Sequence, residues 1–415
     1  MYKAKPFIIS EDLVSKAFKS VKANAGAAGI DGQSIASFEA NLEDNLYKLW
    51  NRMSSGVYFP PAVKAVPIPK KNGGVRILGI PTVADRIAQM VVKLEFEPNV
   101  EPIFLPDSYG YRPNKSALDA VGITRQRCWK YDWVIEFDIK SFFDNLDHEL
   151  LMKAVRKHTE SKWVILYIER WLKAPLQLED GSLQERNCGV PQGGVVSPLL
   201  SNLYLHYVFD AWMKINHPST PWCRYADDGL IHCKTLQEAK QLLADLELRF
   251  KECGLELHPQ KTRVVYCKDD NRKGKYSNKD FNFLGYNFRT RTVKNKDGKP
   301  FMSFAPAVSK EALKSMRAKI RKSNFRNRTE LSLEDIANKW NPILRGWIEY
   351  YGKYNRSCLY ALFRHFNISI KAWIMHKYEK FKGRVTRAGK LLVEIAKRNP
   401  TLFAHWKIGM VGAVA

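Results

Sequence analysis

The spacing of apolar residues changes several times along the chain, and each change marks a different predicted element. Over residues 10–55 apolar positions recur every three or four residues, which indicates helices separated by polar turns. The first helix is expected to begin after the capping residue Ser10 and to bury the face formed by Leu13, Val14, Ala17, Phe18 and Val21.

Residues 62–80 change to a shorter repeat that is typical of strands. Two strands are predicted there, joined by residues 70–74, because the Asn72-Gly73 pair favours a hairpin turn between strands. A helix is expected to follow over residues 82–100.

The middle of the chain mixes the two periods. Residues 133–139 form a short apolar run that contains an acid near its end, and residues 222–233 read as strand, tight turn and strand. The other elements predicted in this part are helical segments over 149–173, 198–213 and 235–253, and a strand over 281–288 that is followed by a Gly-containing hairpin.

Only helical spacing is found from about residue 308 onward, where Ser332 and Asp335 form a capping pattern ahead of an apolar helix face. We therefore predict an α+β region over residues 1–300 and a helical domain over residues 301–415.

The charge of the chain indicates a polyanionic partner. The 415 residues include 67 Lys and Arg against 42 Asp and Glu, a formal net charge of +25. Residues 301–415 alone hold 23 Lys and Arg against 7 Asp and Glu, a net of +16. Basic residues interleaved with aromatic ones suit a nucleic acid, through phosphate contacts and base stacking. A merely soluble basic protein is the alternative that charge alone leaves open.

Several classes of protein are excluded or disfavoured. The seven cysteines include no CxxC pair, and the histidines are scattered, so neither a disulfide framework nor a zinc site is indicated. The uncharged stretch over residues 187–209 contains prolines, glycines and polar side chains, which makes a membrane span improbable. We expect a cytosol-like compartment and no membrane partner.

Three acids on two apolar strands are the candidate chemistry. Asp138 stands near the end of one predicted strand, and Asp227 and Asp228 lie at the turn between two others. Mg²⁺ prefers carboxylate ligands, and two such ions can activate a 3′-hydroxyl and stabilise a leaving pyrophosphate. Each acid alone is more often a cap or turn residue, whereas the combination is more specific.

The chain resembles the reverse transcriptases in several blocks that occur in the family's order. Residues 225–228, Tyr-Ala-Asp-Asp, look like the YxDD box, and residues 137–143 resemble the first catalytic block. The other blocks that carry the resemblance are residues 108–113, 189–198, 254–262 and 283–286.

More narrowly, the chain resembles the proteins encoded by bacterial group II introns. The block around residues 29–32 and the segment 346–351, Gly-Trp-Ile-Glu-Tyr-Tyr, are typical of them. The resemblance implies a right-hand polymerase fold, in which fingers and a palm with an antiparallel sheet are followed by an α-helical thumb or maturase domain. No segment resembles the endonuclease domain of longer relatives, so we expect a protein like the bacterial class C subgroup, located in the cytoplasm.

The resemblance also implies roles for matched positions. Asp138, Asp227 and Asp228 would form the catalytic carboxylates, and Asp138, Asp227 and the Ile139 carbonyl would bind two Mg²⁺ ions, with Mn²⁺ as a substitute. Lys70 and Arg76 would hold the incoming triphosphate, unless they are solvated hairpin cations.

Phe143 would exclude a 2′-hydroxyl and so select deoxynucleotides, with Phe142 as the competing core aromatic. Gln192 would contact the nucleotide's sugar or base region. Lys261 would support the nucleotide or the template, or is solvated, and Arg112 would touch the template or support the fingers. Leu284, Gly285 and Tyr286 would form a primer grip, with a core strand as the alternative.

The implied reaction is the copying of RNA into DNA from deoxynucleoside triphosphates, on an RNA template with a DNA or RNA primer. The implied partner is a cognate group II intron RNA, whose splicing and retrohoming the protein would assist. Two other readings stay open at this point: a domesticated reverse transcriptase without an intron, for example in defence, and an RNA-binding splicing cofactor with secondary polymerase activity. Phe143 disfavours an RNA-dependent RNA polymerase.

Overall fold

A computed structural model of the chain describes residues 5–69, 73–295 and 297–411. The chain divides into two compact units, one of Met1–Ala120 with Ile135–Arg263 and the other of Val121–Val134 with Val264–Ala415.

The elements before residue 140 are α1 (Glu11–Asn24), α2 (Ile35–Glu39), α3 (Leu42–Ser54), β1 (Val63–Pro69), β2 (Val75–Ile80), α4 (Val83–Val100), α5 (Ala117–Cys128) and β3 (Trp133–Asp138). Those up to residue 266 are α6 (Phe142–Asn145), α7 (His148–His158), α8 (Lys162–Lys173), β4 (Leu176–Gln177), β5 (Leu183–Gln184), α9 (Ser197–Leu205), α10 (Ala211–Asn216), β6 (Trp222–Tyr225), β7 (Asp228–Cys233), α11 (Leu236–Glu252) and β8 (Arg263–Tyr266). The last part contains β9 (Asp280–Phe283), β10 (Tyr286–Lys294), β11 (Pro300–Val308), α12 (Lys310–Ser323), α13 (Leu333–Asn355), α14 (Tyr360–Lys377) and α15 (Val385–Arg398).

The first unit begins with helices that pack through the predicted faces. Ser10 accepts a hydrogen bond from the Leu13 amide and caps α1, whose Val14 and Phe18 are buried. Phe18 stacks on Phe38 of α2 with ring centroids 5.9 Å apart. The prediction for this helix is confirmed, because its apolar spacing matches the face that is buried.

Two sheets carry the β1–β2 hairpin and the acidic residues. One has the order β2-β1-β4-β5, in which β1 and β2 are antiparallel. The other has the order β6-β7-β3-β8, so β3 lies between the second strand of the acidic hairpin and β8. Phe137 of β3, Phe209 and Phe250 pack together beneath this sheet, with Phe137 5.0 Å from Phe209 and 5.8 Å from Phe250.

The second unit contains a hairpin sheet in the order β11-β10-β9 and a helical core. Ser332 and Asp335 form a reciprocal capping box at the start of α13, as the sequence predicts. Trp340 on this helix is buried against Phe325 and Phe366, at 5.8 and 5.2 Å between ring centroids. Aromatic pairs at these distances add to the free energy gained by burial alone.

Two predicted elements differ from the structure. The helical segment 149–173 is divided into α7 and α8, because Thr159 adopts an extended backbone that ends α7. The strand over 281–288 is wrong: it is two antiparallel strands, β9 and β10, joined by Leu284 and Gly285. Both turn residues have positive φ, 52° and 78°, which is the conformation of a tight hairpin turn.

No helix in the described part of the chain is long and apolar enough to cross a membrane.

Candidate active site

Asp138 is brought to the acidic hairpin by close packing of β3 on β7. Gly229 follows Asp228 on β7, and a Cβ atom at this glycine would lie 2.0 Å from Cζ of Phe137. Only a residue without a side chain permits this approach. The acid that follows Phe137 is therefore held beside the acids that precede Gly229.

The turn of the acidic hairpin is fixed by a segment distant in sequence. Tyr225 pairs with Asp228 across the turn, and Ala226 between them has a positive φ of 54°. A Cβ atom on Gly110 would lie 2.4 Å from the Ala226 nitrogen, so the two backbones are in direct contact. Asn202 donates a hydrogen bond of 2.7 Å to the Gly110 carbonyl and holds this segment in place.

A buried ion pair lies beneath the same turn. Arg224 binds both carboxylate oxygens of Asp210, and neither side chain is exposed to solvent. The guanidinium also donates to the Ser108 hydroxyl and to the Ala226 carbonyl, at 2.8 and 3.1 Å. Sequence patterns alone did not single out Arg224, although an arginine inside an otherwise apolar strand is the signal that points to a buried partner.

The three carboxylates interact strongly with one another. Burial raises the pKa of Asp227, and the nearby Asp138 raises it further. Burial also raises the pKa of Asp228 to about 7, with added repulsion from Asp227 and Asp138 and a hydrogen bond shared with the Asp138 carboxyl. The positive charge of Lys261 acts in the opposite direction and lowers the pKa of Asp227 and Asp228. Its Nζ is 2.8 Å from Asp138 Oδ2.

The chemistry of this donor set fits a divalent cation, although its present arrangement is not a closed metal cage. Among the described residues, no group of three or more His, Cys, Asp or Glu side chains is poised to hold a metal ion. Charge is balanced instead by Lys261 and by the raised pKa values of Asp227 and Asp228. Carboxylates that repel each other in this way are relieved when a cation binds between them.

Arg76 is close enough to act on this site. Its charge lowers the pKa of Asp227 against the stronger effect of burial. Tyr111, half exposed and with a positive φ of 59°, has its pKa raised by burial and by Asp227. Tyr111 belongs to the block 108–113 but was not predicted as a site residue. Lys70 lies outside the described residues.

The segment around Gln192 joins β2 to the residues after Asp138. The Gln192 carbonyl accepts a hydrogen bond of 2.8 Å from the Gly79 amide of β2. Its side-chain amide donates to Asp144 at 3.2 Å, and the Val190 amide donates to the Phe143 carbonyl at 2.7 Å. Phe143, Gln192 and the strand of Arg76 therefore lie in one neighbourhood.

Phe142 and Phe143 differ in burial, which fits Phe142 as the core aromatic. The strand ends at Asp138, and the two rings occupy the short helix α6. Phe142 is buried, whereas Phe143 is half exposed, with 5.3 Å between ring centroids.

Two other predicted residues have structural partners. Ile139 is buried and forms an isolated bridge with Leu257, so its carbonyl as a metal ligand stays a prediction. Arg112 binds Glu101 and donates to the Leu105 and Ser108 carbonyls. These bonds fit the supporting role considered for Arg112, and a template contact stays a prediction.

Leu284, Gly285 and Tyr286 belong to the second unit and form the hairpin turn described above. Tyr350 donates a hydrogen bond of 2.8 Å to the Leu284 carbonyl. The Tyr286 hydroxyl donates to the Tyr350 carbonyl, and its buried ring lies 5.7 Å from that of Tyr351. Two tyrosines of the 346–351 segment thus hold this turn in place.

Two families match the chain in separate segments. Residues 68–288 match the reverse transcriptase (RNA-dependent DNA polymerase) family, and residues 313–391 match the maturase-specific domain of group II introns.

Three individual relatives show how much of the chain is similar to known proteins. Protein YkfC of Escherichia coli is 33% identical over 293 residues, which cover 59% of this chain and 74% of the relative. The group II intron-encoded protein LtrA of Lactococcus lactis is 26% identical over 410 residues, 82% of this chain and 65% of LtrA. Maturase-like protein 1 of Euglena gracilis is 24% identical over 351 residues, 82% of this chain and 67% of that protein.

The chain thus spans slightly less than two thirds of LtrA. The reverse transcriptase match includes the three carboxylates, and the maturase match falls within the basic helical region. The chain belongs to the reverse transcriptase family and carries a group II intron maturase-specific domain.

Proposed function

We propose that this reverse transcriptase extends a primer with deoxynucleotides on an RNA template at the site formed by Asp138, Asp227 and Asp228. The observation that carries the proposal is the convergence of three carboxylates from two adjacent strands, with the pKa values of Asp227 and Asp228 raised by burial and by mutual repulsion. Such a cluster is costly unless cations neutralise it.

Asp138 and Asp227 would hold Mg²⁺, with the Ile139 carbonyl as a further oxygen and Asp228 in a supporting role. When bound, two such ions activate the 3′-hydroxyl and stabilise the charge of the phosphoryl group. Within the protein, Lys261 holds the Asp138 carboxylate in place through its ion pair until a cation competes for that oxygen.

The nucleotide would lie between Arg76 and the neighbourhood of Phe143 and Gln192. Arg76 supplies positive charge toward the triphosphate, and Lys70 on the same hairpin is assigned the same role from the sequence. Phe143 is half exposed beside the Gln192 segment, where a bulky ring can exclude a 2′-hydroxyl. Gln192 contributes backbone that is already fixed by its bond to Gly79.

We further propose the right-hand assignment of these parts. The β1–β2 hairpin corresponds to fingers, the β6-β7-β3-β8 sheet to the palm, and residues 301–415 to the α-helical thumb or maturase domain. The turn at Leu284–Tyr286 would act as a primer grip, because Tyr350 and Tyr286 fix its backbone.

Primer extension tests the polymerase proposal. Purified protein with Mg²⁺, an RNA template, a DNA primer and deoxynucleotides should give full-length cDNA. Asp227→Asn should reduce the rate by several orders of magnitude, because the substitution keeps the shape and removes the charge. Asp180→Asn is the matched control, since Asp180 lies in an exposed turn and accepts hydrogen bonds from nearby Ser182. Full activity in Asp227→Asn would refute the assignment.

A second proposed function is assistance to splicing of a cognate group II intron, which the match of residues 313–391 favours. The +16 net charge of residues 301–415 suits the binding of folded RNA. Splicing of the flanking intron at low Mg²⁺ should require added protein and should persist with Asp227→Asn. If splicing is equally fast without the protein, the splicing role is refuted and only the polymerase proposal remains.

A further inference from the structure

A cavity lies in the first unit, formed by residues other than those of the carboxylate site. Its volume is about 250 Å³. One wall is a single face of α7, made by Leu150, Lys153, Ala154 and Lys157 at helical spacing. The cavity is smaller than the usual range for drug-sized ligands, so it suits one ring system.

The two lysines at this cavity have no acidic partner in the part of the chain that the structure describes. Lys153 and Lys157 are exposed, and the Lys157 ammonium lies 4.9 Å from the centroid of the Tyr207 ring. Arg156, on a different face of the same helix, is paired with Glu169. Glu169 of α8 therefore neutralises the cation that faces away from the cavity, and the positive charges of Lys153 and Lys157 remain beside it.

The opposite wall presents an aromatic ring from an unusual turn. Residues His206–Asp210 form a π-helical turn between α9 and α10, a feature often found at functional sites. Arg249 donates to the carbonyls of Tyr207 and Val208, at 3.2 and 3.1 Å, and so satisfies backbone groups of this turn. Arg249 is thus occupied in holding the wall, which leaves Lys153 and Lys157 for a ligand.

The Tyr207 ring is also fixed in orientation. Its hydroxyl is hydrogen-bonded to Nε2 of His158 at 2.5 Å, and the two rings are stacked with centroids 5.9 Å apart. A ring held at both its edge and its face loses little freedom when a flat ligand stacks on it.

We propose that this cavity binds one nucleotide of an RNA, with the base against Tyr207 and the adjacent phosphate between Lys153 and Lys157. An apolar floor, a fixed aromatic ring and two lysines without an acidic partner among the described residues match a nucleotide, which has a flat base and an anionic phosphate. The chain's net charge of +25 and its family make RNA the available polyanion. This is a second RNA site, separate from the carboxylates that act on the primer.

Crosslinking tests where the RNA lies. Full-length protein is first loaded with a chain-terminated primer on an RNA template, so that the polymerase site is occupied. A single-stranded RNA with 4-thiouridine is then added and irradiated, and modified peptides are mapped by mass spectrometry. Crosslinks at Tyr204 or Tyr207 are expected, and their absence overturns the proposal.

Binding affinity tests the charges and the ring separately. With the same loaded protein, the double variant Lys153→Gln/Lys157→Gln should bind the RNA less tightly and lower the salt-dependence slope by about 0.7, the value for one phosphate of a single strand. Tyr207→Leu should weaken binding by about tenfold with the slope unchanged. Tyr207→Phe keeps the ring and should bind nearly as wild type.

The matched control is Lys214→Gln/Lys240→Gln, which removes the same charge from exposed positions on α10 and α11. Equal weakening in both double variants would show general electrostatic attraction and overturn the proposal. Binding of decanoate to the cavity would also overturn the proposal if RNA did not compete with it, because the cavity would then be a site for an acyl carboxylate. Primer extension on a short template, unchanged in all these variants, shows that they are folded.

Discussion

Arg224 and Asp210 form a two-oxygen ion pair with no solvent exposure directly beneath the acidic turn. The two bonds measure 2.8 and 2.7 Å, and a third nitrogen contact reaches the Ala226 carbonyl within the turn. Asp210 ends the π-helical turn, so this pair links that turn to the backbone that carries Asp227. The position of the acidic turn thus depends on an ion pair that is not exposed to solvent.

Removing one partner of this pair should be strongly destabilising. Asp210→Asn leaves the Arg224 charge buried without its counter-charge, and we expect a loss of about 3–5 kcal/mol in the free energy of unfolding. Urea denaturation followed by tryptophan fluorescence measures it. Glu169→Gln, which breaks the exposed pair with Arg156, is the control and should cost less than about 1 kcal/mol. Similar small losses in both variants would contradict the role assigned to the pair.

Gly229→Ala should disable polymerisation. The new methyl group would overlap the Phe137 ring, so β3 and β7 must separate and Asp138 must move away from Asp227. We expect a loss of about 1–3 kcal/mol in stability together with loss of primer extension.

Gly346→Ala provides the comparison for that substitution. Nothing lies within 4 Å of a Cβ at Gly346 in α13, so the change should leave stability unchanged or raise it by up to about 1 kcal/mol. Primer extension at the wild-type rate by Gly229→Ala would show that the two strands tolerate separation.

The metal-free protein should gain thermal stability from Asp228→Asn, and the gain should depend on pH. Burial raises the pKa of Asp228 from 3.8 to about 7, so the folded state holds a proton that the unfolded state has released. Ionising Asp228 in the folded protein therefore costs free energy of unfolding. This cost is absent below about pH 4, grows as the pH rises between the unfolded and the folded pKa, and is complete above about pH 7. Tm measured across this range in EDTA should show the variant's advantage growing with pH.

Asp180→Asn should behave in the opposite sense. Hydrogen bonds from Ser182 lower the pKa of Asp180, so its charge is favoured by the fold and its loss does not stabilise the protein at neutral pH.

Added Mg²⁺ should raise the Tm of the wild type more than that of Asp228→Asn, because the variant has lost a charge that attracts the ion. An advantage of Asp228→Asn that is constant across the pH range would refute titration of this carboxyl as its cause.

Phe143→Ala and Phe142→Ala should separate selectivity from stability. Phe143 is half exposed beside the Gln192 segment, so its loss should increase ribonucleotide incorporation with a small effect on Tm. Phe142 is buried, and its loss should cost about 3–5 kcal/mol. Incorporation of ribonucleotides and deoxynucleotides is compared in single-nucleotide extension assays. If Phe143→Ala discriminates between ribonucleotides and deoxynucleotides as the wild type does, Phe143 does not exclude the 2′-hydroxyl.

Local signals in the sequence were sufficient for most elements. The apolar face and cap of α1, the hairpin of β1 and β2, and the capping box of α13 are each specified by residues close in sequence, and each is present. The three carboxylates could also be found, since acids at strand ends and turns stand out against apolar neighbours.

Contacts between distant segments could not be found in this way. The fit of Gly229 against Phe137 joins strands that are far apart in sequence, and Arg224 finds its partner through the three-dimensional fold alone. The sequence does not predict the turn at Leu284, because a leucine rarely adopts positive φ and the apolar run 281–288 has the pattern of one strand. Its conformation is supported by Tyr350, a residue of α13.

The contact between Gly110 and Ala226 has a consequence for suppressor genetics. At Gly229 an added methyl group meets a side chain, and a smaller residue at Phe137 can make room for it. At Gly110 the added atom meets the Ala226 main-chain nitrogen, which every amino acid possesses. A selection for restored activity should therefore return second-site revertants of Gly229→Ala, whereas Gly110→Ala should yield only true reversion.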